Sequence, residues 1–173
     1  MAIRVGINGF GRMGRLTMRA IYDAEDIEIV KINDPAGDAA TLAHLLNFDS
    51  VHGRWQHEAL HQGETMLIGS VEIPCTGNKA LCETDWSDCD LVIEASGKFK
   101  SRESLQAYLD QGVKRVVVTA PVKQDGVLDC VMGINDHLFN PQLHAIVTAA
   151  SCTTNCLAPV VKVIHENLEI KHG

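Results

Sequence analysis

The chain has 173 residues, 46% hydrophobic but only 5% aromatic, with a formal net charge of −7. That length suits one domain with a sizeable core, and so few aromatics suit a Val/Ile-rich parallel sheet. The acidic balance argues against general nucleic-acid or anionic-membrane binding, and no apolar stretch approaches the ~20 residues that span a bilayer.

Residues 3–8 read as a short buried strand that enters directly from Met1-Ala2, with no long apolar leader, so a cytoplasmic location is expected. The strand runs into Gly9-Phe10-Gly11-Arg12-Met13-Gly14. A helix follows, with Met13, Leu16, Thr17, Ala20 and Ile21 at helical spacing. Residues 27–32 form a second strand ending in Asn33-Asp34, and 39–47 a helix. Residues 55–76 look like short antiparallel strands turning near Gln62-Gly63 and Gly69-Ser70. The parallel pattern resumes with a strand at 90–95, a helix at 101–111 capped by Ser101 and closed by Gly112, and a strand at 113–119. Ser104 stands where Glu or Gln would complete a capping box. Strands at 127–132 and 144–148 lead to a long helix over 152–168, which Pro159 should kink or show to start later. The expected fold is α/β, a doubly wound parallel sheet with a small antiparallel insertion. Ligands then lie at the carboxyl ends of the strands, where one crevice would hold them together.

The glycine run is G-x-G-x-x-G between a strand and a helix, the context that the dinucleotide fingerprint requires. Gly9 permits the tight turn, Gly11 lets a pyrophosphate approach the backbone, and Gly14 lets the helix pack close to the strand. Asp34, about twenty residues past the last glycine, stands where an acid would accept hydrogen bonds from the adenosine ribose hydroxyls. It favours NAD over NADP, whose 2′-phosphate it would repel.

Six cysteines in a chain without a leader favour free thiols. Cys152 is the one with a chemical context, in Ser151-Cys152-Thr153-Thr154-Asn155-Cys156 at a helix start, where partial positive charge and free N–H groups favour a thiolate. The alternative is a small apolar residue under a buried helix. Cys156, one turn further, reads as packing. Cys75, Cys82 and Cys89 recur every seven residues, but Pro74 and Gly77 break any helix that would align them, so no metal is expected. His57 and His61 read as exposed polar residues.

Several segments together resemble the N-terminal half of the glyceraldehyde-3-phosphate dehydrogenase family, over essentially the whole chain. They are Ile7-Asn8-Gly9-Phe10-Gly11-Arg12, Asn33-Asp34-Pro35, His44-Leu45-Leu46, Asp49-Ser50-Val51-His52-Gly53-Arg54, Ser96-Gly97, Thr119-Ala120-Pro121, Gly133-Ile134-Asn135 and 150–159. Glu94-Ala95-Ser96-Gly97-Lys98-Phe99, Ala120-Pro121-Val122-Lys123 and Thr148-Ala149-Ala150 are more similar to the family's paralogues encoded beside arsenate-export genes. The resemblance implies a Rossmann NAD-binding domain over 1–150 and a catalytic-cysteine helix over 151–173, leading to a catalytic domain that the chain lacks. It adds Asn8, Arg12, Met13, Ser96, Gly97 and Thr119 to the cofactor contacts, although Ser96 and Thr119 are equally suited to capping the turns they begin. Cys152 is implied as the nucleophile, with Ser151 and Thr153 at oxyanion-contacting positions, unless these simply cap the helix. The implied reaction is oxidation of glyceraldehyde 3-phosphate through a thioester cleaved by inorganic phosphate or arsenate, in a homotetramer when full length. The family's partner histidine would lie beyond the chain, His165 being three to four turns from the thiol, so the chain alone is expected to be inactive. The segment Gly77-Asn78-Lys79 departs from the family near the adenine side. The alternative to an enzyme fragment is a stand-alone NAD-binding or thiol redox module.

Overall fold

The computed structural model describes residues 2–172, so Met1 and Gly173, the outer ends of the two expected segments, lie outside the described residues. In chain order the elements are β1 (Ile3–Asn8), α1 (Arg12–Ile21), β2 (Ile27–Asn33), α2 (Ala39–Asn47), β3 (Phe48–Asp49), β4 (Gly53–Arg54), β5 (Ala59–Gln62), β6 (Thr65–Ile68) and β7 (Val71–Thr76). There follow β8 (Leu91–Glu94), α3 (Arg102–Leu109), β9 (Arg115–Val118), β10 (Leu128–Asp129), β11 (Ile146–Thr148) and α4 (Cys152–Leu168). One sheet runs β10-β11-β9-β8-β1-β2-β7-β6-β5, parallel as far as β7 and antiparallel from β7 to β5, and β3 pairs with β4 in a separate hairpin. This is the doubly wound α/β sheet with an antiparallel insertion that the strand and helix alternation predicts.

Alternation along β1 explains the two-layered core. Val5 and Ile7 face a cluster with Phe10, Met18, Ile32, Leu46, Trp55, Met66 and Ile73. Gly6 faces the other side, where Trp86 lies so close that a Cβ would stand 2.8 Å from its ring. There Trp86, Val92, Leu105, Tyr108, Val116, Val118 and Ile146 form the second cluster. Burying side chains on both faces is what an apolar parallel strand requires.

Several local expectations change in the folded chain. In α1 the buried positions are Gly14 and Met18, whereas Met13 is 51% exposed. The inward stripe is rotated because Gly14 must lie against the turn at Gly9, where a Cβ would approach the Gly9 carbonyl oxygen to 2.1 Å. Ser104 does complete a capping box at α3: its Oγ accepts the Ser101 N–H at 3.3 Å while Ser101 Oγ accepts the Ser104 N–H at 3.1 Å. A short hydroxyl thus does the work expected of a longer carboxylate. The strand expected over 127–132 shrinks to two residues, because the loop from Val131 closes on itself through Asn135. Trp55 lies outside any strand. His57 pairs with Asp23 at 2.8 Å and lies against Tyr22 and Trp55 at ring separations of 4.8 Å, so it is not a free surface histidine. α4 starts at Cys152 and holds Pro159 in its interior. It buries none of its side chains and leaves Leu157, Val160, Val163 and Leu168 exposed. Among the described residues no helix is long and apolar enough to cross a membrane.

Candidate functional site: a dinucleotide cleft and a helix-start thiol

The glycine run forms the turn from β1 into α1, and each glycine has a separate steric setting. Gly9 has φ +89°, a conformation open to glycine, and a Cβ there would lie 2.3 Å from the Ser96 nitrogen. Gly14 carries the close approach of α1 to the turn. A Cβ at Gly11 meets nothing within 4 Å, so Gly11 borders open space at the helix N-terminus. No side chain caps that terminus and its first turn has no acidic residue, which leaves it suited to an anion such as a pyrophosphate.

A cleft of about 270 Å³ opens there, lined by Asn8, Gly9 and Gly11, by Asn33 to Ala36, by Asn78 and Lys79, and by Ala95, Ser96, Lys98 and Phe99. It sits at the carboxyl edge beside β1, flanked by β2 and β8, where successive connections leave to opposite sides and doubly wound sheets bind ligands. Asp34 lines it. Its Oδ2 accepts the Phe10 N–H at 2.6 Å and its Oδ1 the Ala36 N–H at 2.8 Å, so the carboxylate braces the glycine turn. Asn78 and Lys79 are part of the wall, held by the Asn78 N–H on Asn33 Oδ1 at 2.8 Å.

Beneath the cleft lies a buried polar row that the sequence reading missed. Asn33, Asn8 and Glu94 end three adjacent strands in one register. Asn33 Nδ2 donates to Asn8 Oδ1 at 2.8 Å, Asn8 Nδ2 to Glu94 Oε2 at 2.7 Å, and the Tyr108 hydroxyl to the same Glu94 oxygen at 2.6 Å. The other Glu94 oxygen accepts both the Ser96 N–H, at 2.8 Å, and the Ser96 hydroxyl. Glu94 is 1% exposed, and burial together with this carboxylate pushes the Tyr108 hydroxyl pKa far up, so it stays a donor. The signal was present: three apolar strand runs each close on a polar residue, Ile7-Asn8, Ile32-Asn33 and Ile93-Glu94.

Of the expected cofactor residues, Asn8, Gly9, Gly11, Asp34 and Ser96 line the cleft. Arg12 points away to pair with Asp49 at 2.9 Å, and Met13 is exposed. Gly14 packs beneath Gly9, and Gly97, at φ +70°, turns the chain out of β8 without lining the cleft. Thr119 caps its own strand end, its N–H and hydroxyl both on the Glu94 carbonyl at 3.0 and 3.3 Å.

Cys152 opens α4 as its first residue and is exposed. Ser151 is the N-cap, accepting the Thr154 N–H at 3.0 Å, and its Oγ lies 3.1 Å from Thr153 Oγ1. α4 follows β11, which ends on the same edge as β1 but three strand positions away, roughly 14 Å at ~4.8 Å per strand. Cys152 is therefore outside the lining of that cleft, and a second depression lies along the same edge. The second, of about 500 Å³, is lined by Pro121, Lys123, Asp129, Ala150, Ser151 and Thr154 among others. Cys156 is exposed on the same helix. Cys75 and Cys89 are buried, and desolvation pushes their thiols up to about 11 and about 12, the second with help from the Asp88 carboxylate.

Comparison with known proteins gives the family. The family model for the glyceraldehyde 3-phosphate dehydrogenase NAD binding domain matches residues 3–102, and that for the same enzyme's C-terminal domain matches 151–173. Glyceraldehyde-3-phosphate dehydrogenase 3 of Nostoc is 53% identical over 100% of this chain and 52% of its own length. The Geobacillus stearothermophilus enzyme is 43% identical over 100% of the chain and 52% of its length, and a cytosolic one from Dianthus caryophyllus is 40% identical over 99% and 51%. The chain thus spans about half the length of the curated relatives it matches. With the glycine turn, Asp34 and the helix-start thiol in place, the chain belongs to the glyceraldehyde-3-phosphate dehydrogenase family and carries its NAD-binding domain.

Proposed function

We propose that the chain is the cofactor half of an NAD-dependent aldehyde dehydrogenase acting on glyceraldehyde 3-phosphate, with Cys152 as nucleophile. The supporting observation is that the glycine turn with its uncapped helix and the exposed Cys152 lie on one carboxyl edge of the sheet. In this reading residues 1–150 hold the dinucleotide and 151–173 lead into the catalytic domain. Gly11 and the α1 N-terminus take the pyrophosphate, with Arg12 and Met13 flanking it, and Asp34 takes the adenosine ribose. Ser96, Gly97 and Thr119, at the ends of β8 and β9, lie on the way toward the thiol.

The Cys152 thiolate attacks the aldehyde carbon, forming a carbon–sulfur bond while the carbonyl oxygen takes a proton. Bound NAD supplies the hydride acceptor. Loss of hydride from that carbon, with the hydroxyl proton passing to the general base, leaves a thioester, which phosphate or arsenate attacks to release the acyl product and return the thiolate. Ser151 and Thr153 offer hydroxyls to the oxyanion beside the α4 N-terminus. The general base, the remaining substrate contacts and the contacts of a homotetramer are assigned to the part of the relatives' length outside this chain. A cytoplasmic location fits the relative from Dianthus caryophyllus, which is named cytosolic.

Calorimetric titration with NAD and NADP, on the chain and on Asp34→Asn, tests the cofactor part. Saturable binding that favours NAD is expected, and removing the carboxylate charge should narrow that preference about tenfold, ~1.4 kcal/mol. A well-folded chain that binds neither nucleotide, or an unchanged preference in Asp34→Asn, would overturn it.

A further inference from the structure

The step from β11 to α4 is made by Ala149, Ala150 and Ser151, and Ala150 adopts φ +55°. Glycine takes that left-handed conformation freely, whereas alanine takes it only where its surroundings hold it. Ala150 is buried, and its N–H is accepted at 3.0 Å by Oγ1 of Thr148, itself fully buried at the end of β11. The Thr148 hydroxyl in turn donates to Oδ1 of Asp129. With its proton taken by the carboxylate, the hydroxyl oxygen has to present a lone pair to the Ala150 amide. Asn155, in the first turn of α4, spans the step from the other side, donating to the Ala149 and Ser151 carbonyls at 2.7 and 2.9 Å.

Asp129 belongs to the edge strand β10, in register with Thr148 across the β10–β11 pair. Among the described residues no cation lies within ion-pair distance of it, so its charge is directed at that hydroxyl. Everything after Ala150 turns with its φ, and Cys152 is only two residues on.

We propose that Asp129 is a positioning residue for Cys152, holding Ala150 left-handed through Thr148 and so aiming the first turn of α4 and its thiol. The role rests on the reading of Cys152 as nucleophile. It assigns a function to a carboxylate and a hydroxyl that neither touch the cofactor cleft nor carry out a chemical step.

The test is the rate of iodoacetamide alkylation at each cysteine in the full chain, read by peptide mass. Asp129→Ala and Thr148→Val should slow Cys152 about tenfold, as loss of positioning does, and leave Cys156 on the same helix unchanged. Thr148→Ser, which keeps the hydroxyl, should restore most of the rate to that position. Adding Ala150→Gly to Asp129→Ala should recover much of the loss, because glycine needs no lock to stay left-handed. Equal slowing of Cys156, or no recovery with glycine, would overturn the role. Wild-type rates in Asp129→Ala and Thr148→Val would overturn it too, with the nucleophile reading intact. If wild-type Cys152 reacted no faster than Cys156, the nucleophile reading itself would fall. Labelling of buried Cys75 and Cys89 would expose a variant that had merely unfolded.

Discussion

Substituting alanine at Gly14 and at Gly11 should separate the fold of the dinucleotide turn from its function. A Cβ at Gly14 would stand 2.1 Å from the Gly9 carbonyl oxygen and 3.3 Å from Ile7 Cγ2, against ordinary contact at 3.4–4 Å. The shortfall to Gly9 exceeds an ångström and falls on backbone, so no rotamer relieves it. α1 must lift or the Gly9 turn must open, and overpacking of this kind costs about 1–3 kcal/mol. At Gly11 a Cβ meets nothing within 4 Å, and φ −66° there is open to any residue. Losing glycine from that N-cap should cost only about 0.5 kcal/mol. The empty space beside Gly11 is where the proposed function puts the pyrophosphate, however, so on that proposal Gly11→Ala should weaken NAD at least about tenfold, ~1.4 kcal/mol. Urea unfolding read by circular dichroism gives the first quantity and calorimetric NAD titration the second. Gly11→Ala binding NAD as the wild type does would refute the placement of the pyrophosphate. Gly14→Ala unfolding at the wild-type urea midpoint would refute the steric reasoning.

Tyr108→Phe removes one of the two donors on Glu94 Oε2 inside the buried row, and a loss of about 1–3 kcal/mol in urea unfolding is expected; an unchanged midpoint would show that the row contributes nothing to stability. Native-state alkylation at pH 8 should modify the exposed Cys82, Cys152 and Cys156 and spare Cys75 and Cys89, whose burial raises their thiols to about 11 and about 12. Rapid labelling of either buried thiol in folded protein would contradict that burial. Asp49 is held down from 3.8 to about 2 by the His52 and Val51 N–H groups and then by Arg12. Its folded value being depressed, the stabilisation is fully present above 3.8 and is lost as pH falls through about 2. The amide resonances of Val51 and His52 should therefore titrate near 2 rather than 3.8, and Asp49→Asn should abolish that titration.

Much of the chain was legible because the signals are local. Alternation and apolar runs placed the parallel strands, the antiparallel insertion and α4 with its start at Cys152, and the glycine spacing placed the dinucleotide turn. Each depends on steric limits or periodicity within a few residues. Where a local rule failed, a distant partner had decided the matter. The inward face of α1 turned on the fit of Gly14 beneath Gly9, and the strand expected over 127–132 shortened because Asn135 draws the Val131 loop closed.

By itself the sequence determined the fold class, the position of the dinucleotide turn and the start of the thiol's helix. Only the tertiary structure joined Asn8 to Glu94, 86 residues apart, in one buried row, and set the cleft and the depression near the thiol along one carboxyl edge. Only pairing of β10 with β11 brought Asp129 onto Thr148 and so locked Ala150 ahead of Cys152. The reason is that a side chain's hydrogen-bond partner across a sheet is set by strand order and register, and crossovers fix these between segments with no local memory of one another.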